Sequence, residues 1–355
     1  MPSDNTLQES VTPPTQKQRI EALGRRVGRL HRSILAPSVL RGLLPLRAST
    51  LGYRQALRET REREARFRNS TPAYVQALTD GEAFAGQTRV VDVDGLRWWV
   101  PLLHPDDEAL VERYLAHQDF PYRAIAQTRD AAIGGIMLDI GANTGRMSIP
   151  RVILGDVSAA YCAEPDPLNY QCLVRNVRDN KLSGMVMPDN VAVGSENGTV
   201  RLQRASSAGG HRVVDEGVPL RRTAVDVTCV TVDSWVERLG VEADGVSFVK
   251  IDAQGSELHI LNGAARLLRA RHVAWQIEVD VPLLARRGCS PGDLFAVLRA
   301  HFTHFIDLNR RAAGPRVRTT AELTDGLRYI TVAPGSRTDV LTFNLQAPAA
   351  ELLSS

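Results

Sequence analysis

The chain has 355 residues, 43 of them Lys or Arg and 40 Asp or Glu, enough to bury a large core in one α/β domain and carry an appendage. The net charge of +3 is unevenly spread: Lys17–Arg68 holds 14 basic against 4 acidic residues, a surplus of 10, which leaves −7 for the rest. Four scattered cysteines (Cys162, Cys172, Cys229, Cys289) exclude a zinc or disulfide frame, and no apolar run forms a signal-peptide core or approaches a membrane span, so a cytoplasmic protein is expected.

Residues up to about Thr15 are polar and proline-containing and are expected to be disordered. Ile20, Leu23, Val27, Leu30 and Ile34 then fall at steps of three and four, one stripe of a helix, with Arg25, Arg26, Arg29 and Arg32 on its other faces. A second arginine-rich helix is expected from Gln55 to Arg68, with Glu59, Glu62 and Glu64 interleaved. Residues 1–80 thus read as a basic, partly disordered helical arm. Three roles stay open for it: packing on its own catalytic domain, a homodimer contact through a docking helix, or contact with an anionic membrane surface at the inner face. Nucleic acid is not expected, because no aromatics are interleaved to stack on bases.

Val90–Val93, Asp94-Gly95 and Leu96–Val100 form a hairpin signature, and of the adjacent Trp98 and Trp99 at most one can face the core. A helix is expected from Pro105 to about His117. Ile136–Ile140 reads as a strand, followed by a loop with Gly141, Asn143 and Gly145, and then by a helix with Pro150 near its start. Strand, glycine turn and helix form the first unit of a doubly wound sheet, where ligands bind. The dinucleotide fingerprint fits poorly, since Asn143 and Arg146 stand where its later glycines belong.

Alternation then continues, which argues for a parallel sheet. Ala159–Ala163 is a strand ending in Glu164-Pro165-Asp166-Pro167, with a helix over Leu168–Val177. Met185–Met187 leads to a turn at Asp189-Asn190, Thr199–Gln203 is an extra β arm, and Ala205–Thr223 reads as a surface loop over the sheet's carboxyl edge. Val225–Val232 is β-rich and precedes a helix through Leu239. Val246–Ile251 is an apolar strand running into Lys250-Ile251-Asp252. His272–Val279, Thr303–Leu308 and Leu327–Val332 supply further strands, and 336–355 reads as a C-terminal tail.

Glu164 follows Gly145 by nineteen positions at a strand's carboxyl end, where an acid accepts hydrogen bonds from both ribose hydroxyls of a nucleoside. Asp139-x-Gly141-x-Asn143-x-Gly145 resembles the first motif of S-adenosylmethionine (SAM) methyltransferases. The order of Leu138–Gly145, Glu164-Pro165, Val191-Ala192-Val193-Gly194, Lys250–Glu257 and Leu261-Asn262-Gly263-Ala264 resembles the FkbM family of SAM-dependent methyltransferases. The resemblance is good from about Met137 to Asp280 and does not cover the basic arm. It implies a class I, Rossmann-like α/β fold over 81–335, with seven mostly parallel strands, the last antiparallel, and helices on both faces. It also implies methyl transfer to a hydroxyl of a sugar, glycan, glycolipid or secondary metabolite. The cofactor-binding set expected is Asp139, Gly141, Asn143, Gly145, Glu164, Asp189 and Asn190. Gln254 departs from the glutamate that many members carry there.

Methyl transfer needs the acceptor oxygen held behind the methyl and its proton removed. The catalytic candidates are Asp252 as base, Lys250 as its partner, and His211, alone in the polar insert, as another proton acceptor. Asp252 could equally cap the Gln254-Gly255-Ser256 turn, and Glu257 is expected to hold that loop. Asp252, Glu278 and Asp280 together offer oxygen ligands for a divalent cation, which is not expected. The alternatives are a non-catalytic scaffold on the same fold and, more remotely, a nicotinamide-dependent oxidoreductase.

Overall fold

The computed structural model describes residues 53–79, 87–93, 95–102, 119–205, 209–215, 224–308, 317–323 and 337–345. The expected helical stripe at 20–34, the helix at 105–117 and the strand at 327–332 lie outside them.

Helices α1 (Tyr53–Ser70) and α2 (Pro72–Thr79) open the described chain. Their apolar face is not free: Phe67, Tyr74 and Ala77 are buried in the main core, with the Phe67 ring 5.1 Å from Tyr74 and 6.1 Å from Tyr161. Arg63 Nη1 donates to the Gly184 carbonyl at 3.4 Å, and Arg238 Nη1 donates to the Ser70 carbonyl at 3.0 Å. These contacts run across the boundary expected at residue 81. The second half of the arm packs on the α/β domain, as the first of its three readings held.

Strands β1 (Thr88–Val93) and β2 (Leu96–Pro101) pair antiparallel with Val93 opposite Leu96, around a turn that Gly95 makes at φ 76°. Trp98 is buried and Trp99 half-buried, its Nε1 donating to Asp179 at 2.8 Å and its ring covered by the Arg175 guanidinium at 4.6 Å. The period of two decides this, since neighbours on a strand face opposite ways. Helix α3 (Asp119–Ala132) follows.

The main sheet is built from β3 (Ile136–Ile140), β4 (Ala159–Ala163) and β5 (Val186–Asp189), joined through α4 (Ser148–Leu154) and α5 (Pro167–Asp179). An insert follows, made of β6 (Ala192–Gly194), β7 (Gly198–Gln203), β8 (Arg212–Val214) and β9 (Ala224–Thr231). Then come α6 (Val232–Arg238), β10 (Val246–Ile251), α7 (Glu257–Asn262), β11 (Ala274–Asp280), α8 (Val281–Arg286) and α9 (Pro291–His301). Strands β12 (His304–Asp307), β13 (Val317–Thr319) and β14 (Arg337–Phe343) close the order.

The sheet runs β13-β12-β14-β11-β10-β3-β4-β5, with β5, β4, β3, β10 and β11 parallel. β14 enters antiparallel between β11 and β12. Among the described residues the sheet has eight strands where seven were expected, because β13 adds an antiparallel edge to β12. The antiparallel strand expected near the end of the domain lies at Arg337–Phe343, within the stretch read as a tail. Thr338, Asp339 and Thr342 gave it a polar look, yet Val340, Leu341 and Phe343 are buried.

Alternate strand residues divide the core in two. Leu138, Val249 and Trp275 pack with Trp235, Leu261 and Leu298 of α6, α7 and α9. Met137, Phe248 and Ala274 pack with Ile125, Ile149 and Leu173 of α3, α4 and α5. Helices thus cover both faces, as parallel sheets require. The insert forms its own four-stranded sheet, β6-β9-β7-β8, around Ala192, Leu202, Val227 and Cys229. β8 corrects the reading of 205–223 as loop throughout. Among the described residues, no helix is long and apolar enough to cross a membrane.

Candidate functional site

A cavity of about 340 Å³ opens at the carboxyl ends of β3, β4, β10 and β11, within the size range of small-molecule sites. Val100 and Pro101 of β2 and Pro121 of α3 wall one side, while Leu202, His211 and Val213 of the insert wall another.

One end is built on the glycine loop and the β4 terminus. Asn143 lines the cavity in a left-handed conformation, φ 52°, where an Asn side chain is tolerated better than most. Its N–H donates to Glu164 Oε2 at 2.7 Å, and the Asp166 N–H donates to Glu164 Oε1 at 2.9 Å. Asn169 Nδ2 also donates to Oε1, at 3.5 Å, so it is Oε2 that keeps capacity for a further donor from the cavity. Burial pushes the Glu164 carboxyl up to about 8, against the downward pull of these N–H groups. Asp166 caps α5, accepting from the N–H groups of Leu168 and Asn169 at 3.0 Å each, with Pro167 in the first turn where no N–H is needed.

The other end is built on β10, β11 and β14. Lys250 Nζ lies 3.3 Å from Asp252 Oδ2 and 3.8 Å from Asp139 Oδ1. Burial alone would depress the Lys250 ammonium, but Asp252 and Asp139 raise it above its ordinary value, so it stays charged. Burial would raise Asp252, but Lys250 and hydrogen bonds from Glu278 and Gln254 hold it below the usual carboxylate range. Glu278 goes the other way, pushed well up by burial and then by Asp252, Asp339 and Glu257. Glu257 Oε1 accepts the N–H groups of Ala253 and Gly255 at 3.0 and 3.1 Å, and so holds the loop as expected.

Of the expected residues, the cavity brings together Gly141, Asn143, Glu164, Lys250, Asp252 and His211. Four others do not line it. Asp139 is fully buried beneath the loop, one residue inside the strand end, facing Lys250 and Ser148. Gly145 (φ +86°) is a packing position, since a Cβ there would lie 2.6 Å from Leu173 Cδ1. Asp189 accepts from Trp235 Nε1 at 2.8 Å and from Arg238, an ion pair that ties α6 to the sheet. Asn190 works behind the site, its Nδ2 donating to the carbonyls of Glu164 and Pro165 at 2.8 and 3.1 Å.

His211 is neither solvated nor alone. It is 9% exposed, its Nδ1 accepts the Ala205 N–H at 2.9 Å, and its Nε2 lies 3.7 Å from Asp166 Oδ2. Burial lowers its imidazole below the ordinary value, so near neutral pH it is uncharged. Asp280 is spent as the cap of α8, accepting from the Leu283 N–H at 3.0 Å, and so leaves the cation set. Among the described residues, no group of three or more His, Cys, Asp or Glu side chains is placed to hold a metal ion.

Sequence reasoning missed Gln276 and Asp339, which line the cavity and hydrogen-bond each other. Gln276 was readable in principle: with Glu278, two residues on, it puts polar side chains on one face of an apolar strand. Its Oε1, the Ser256 Oγ and the His211 Nε2 are buried without hydrogen-bond partners in residues that line the cavity, which suits a polar ligand.

Residues 139–308 match the family model for the methyltransferase FkbM domain, the family that the sequence motifs resemble. No curated protein matches the chain. Among solved structures, it is similar to an FkbM methyltransferase from Methylobacillus flagellatus KT, with TM-score 0.37 and 15% identity over 66% of this chain. That likeness spans 60% of the Methylobacillus chain. It is also similar to M. jannaschii TYW2 in complex with AdoMet (TM-score 0.35, 11% identity, 72% of this chain and 85% of that one). A third is the B. subtilis m1A22 tRNA methyltransferase TrmK (TM-score 0.33, 11% identity, 67% and 68%).

Proposed function

We propose that this chain is a SAM-dependent O-methyltransferase that acts on a hydroxyl of a sugar, glycan, glycolipid or secondary metabolite. The observation that carries the reading is the cavity itself, with a nucleoside-type acid, Glu164, at one end and a charged base, Asp252, at the other.

The residues present fit SAM. Glu164 Oε2 keeps accepting capacity for a ribose hydroxyl, and Val191 and Val193 offer an apolar wall for a base. Asn143 and the Gly141 backbone line the passage between that end and Asp252. When bound, SAM supplies an electrophilic methyl group on a sulfonium that leaves as a neutral thioether. The protein's own share is to orient the acceptor hydroxyl and hold its proton. Asp252, 32% exposed at the cavity's polar end, does this, and Lys250 stabilises its charge without leaving it. The buried, unbonded Ser256 Oγ and Gln276 Oε1 suit an acceptor with more than one hydroxyl.

The test is ligand-dependent stability. S-adenosylhomocysteine should raise the melting temperature by mass action, and NAD should not. A folded protein that S-adenosylhomocysteine does not stabilise would return the reading to a scaffold on a methyltransferase fold, and stabilisation by NAD alone to an oxidoreductase.

A further inference from the structure

Two carboxyl groups that hydrogen-bond each other hold a proton between them, because two carboxylates offer acceptors only. Asp252 and Glu278 are placed to be such a pair: one amide donor reaches both, and each shifts the other, Asp252 down and Glu278 up. They lie one position beyond Ile251 and Ile277, the last register pair of two neighbouring parallel strands. Gln254, held left-handed at φ 54°, turns its Nε2 to both, 3.0 Å from Asp252 Oδ1 and 3.2 Å from Glu278 Oε2. Glu278 is the covered member, its side chain 6% exposed against 32% for Asp252.

We propose that Asp252 and Glu278 work as one proton-sharing unit, with Glu278 holding the proton and Asp252 the charge, and that this unit takes the proton of the acceptor hydroxyl. The inference rests on the methyl-transfer reading. In that step the acceptor O–H bond breaks and its proton passes to Asp252. The new O–CH₃ bond forms as the methyl–sulfur bond breaks, and that electron pair stays on sulfur. The pair goes from one negative charge to none, and Asp252 returns its proton to solvent once product leaves.

The surroundings enforce this division. Lys250 faces Asp252 from β10 and supplies a close positive charge on that side, 3.3 Å away. Glu278 instead faces Asp339 from β14 and Glu257 from α7, both acids, while Arg337 of β14 reaches only to 3.9 Å and is 65% exposed. A second negative charge at Glu278 would meet three acidic side chains and little positive charge, whereas one at Asp252 meets an ammonium. Gln254 can donate to both oxygens without adding charge. The result is one anion, at the position open to the acceptor.

Infrared spectra of the whole chain, without cofactor or acceptor, test this through the C=O stretch of a protonated carboxyl group. The difference between wild type and Glu278→Gln at pH 7 should contain one such band, and its titration midpoint should fall by about one pH unit or more in Asp252→Asn, where the neighbouring charge is gone. A Glu278 that is ionised at pH 7, or a midpoint that Asp252→Asn does not move, overturns the proposal. If Glu278→Gln does not fold, Gln254→Met removes only the shared donor. The midpoint of the same band must then rise, and an unmoved one is equally fatal. Because the band is read without ligands, its absence leaves methyl transfer standing. Failure to bind S-adenosylhomocysteine would remove methyl transfer and leave the pair.

Discussion

On the proposed function, Glu164 would make cofactor binding a proton-linked event. Its carboxyl, buried beside the Asn143 and Asp166 N–H groups, is pushed from the ordinary 4.5 up to about 8. Ribose hydroxyls donate best to the ionised form, so a ligand that binds it first has to displace the proton. At pH 7 such a group is about one-tenth ionised, which weakens apparent affinity about tenfold, or about 1.4 kcal/mol, and pH 6 costs about tenfold more. Titration calorimetry with S-adenosylhomocysteine from pH 6 to 9, in buffers of different ionisation heat, measures both the slope and the proton released. Wild type should lose affinity about tenfold per unit below pH 8 and release about 0.9 proton at pH 7. Glu164→Gln should be flatter, and at pH 9 weaker by about 1.5–3 kcal/mol for the lost charged acceptor. Groups on the ligand titrate equally in both proteins, so parallel curves would refute the argument. Stability moves the same way. A raised carboxyl contributes fully below its unfolded value of 4.5 and loses that contribution as pH rises through about 8, so Glu164→Gln should overtake wild type in stability above pH 8.

Phe67→Ala should cost about 3–5 kcal/mol in urea denaturation, because the ring is buried between Tyr74 and Tyr161, and a chain beginning at residue 80 should be destabilised further. An unchanged midpoint would restore the boundary at residue 81. Asp252→Asn should lower kcat by about 10²–10⁴ while S-adenosylhomocysteine affinity stays near wild type, measured on a panel of sugar and phenolic hydroxyls. Near-normal turnover there would retire Asp252 as the base.

What was legible in the sequence depended on where a residue sits relative to a strand end. Glu164 lies one residue past β4 and Asp252 one past β10, and both reach the cavity. Asp139 has the same chemistry but lies one residue inside β3, and that single step buries it under the loop it precedes. Motif spacing locates the loop but not this last residue of strand. Asp189 fails for another reason: its partners Trp235 and Arg238 lie 46 and 49 positions away, and only folding brings them in. Gly145 looked like a ligand glycine because turn and packing glycines read alike. Its constraint comes from Leu173 and Ile149 on the helices behind. β14 was hidden because a strand with Thr338, Asp339 and Thr342 at sheet positions lacks the apolar run that marked β3 and β10. Half of the acceptor end was hidden with it, since Asp339 and Arg337 ride on that strand.

The distance between the two ends of the cavity is fixed by backbone rather than by side chains. β3 and β10 are register neighbours up to Ile140 and Ile251, and the Asp252 N–H then donates to the Ile140 carbonyl at 3.0 Å. This carries the pairing one residue past the strands, just where the glycine loop leaves. Gly141 turns there at φ +77°, and a Cβ on it would stand 1.9 Å from the Asp252 carbonyl oxygen. Only glycine lets the loop pass so close to the residue that carries the base. On its other side, the N–H groups of Gly141 and Ala142 both donate to the Ala163 carbonyl at 3.0 Å, one residue before Glu164. The same two-residue stretch of backbone therefore touches the strand end that carries Glu164 and the strand end that carries Asp252. In-line transfer tolerates little error in the separation of these groups. Here that separation is set by sheet geometry, which is stiffer than any pair of side chains, while the insert and β14 line the cavity away from this backbone.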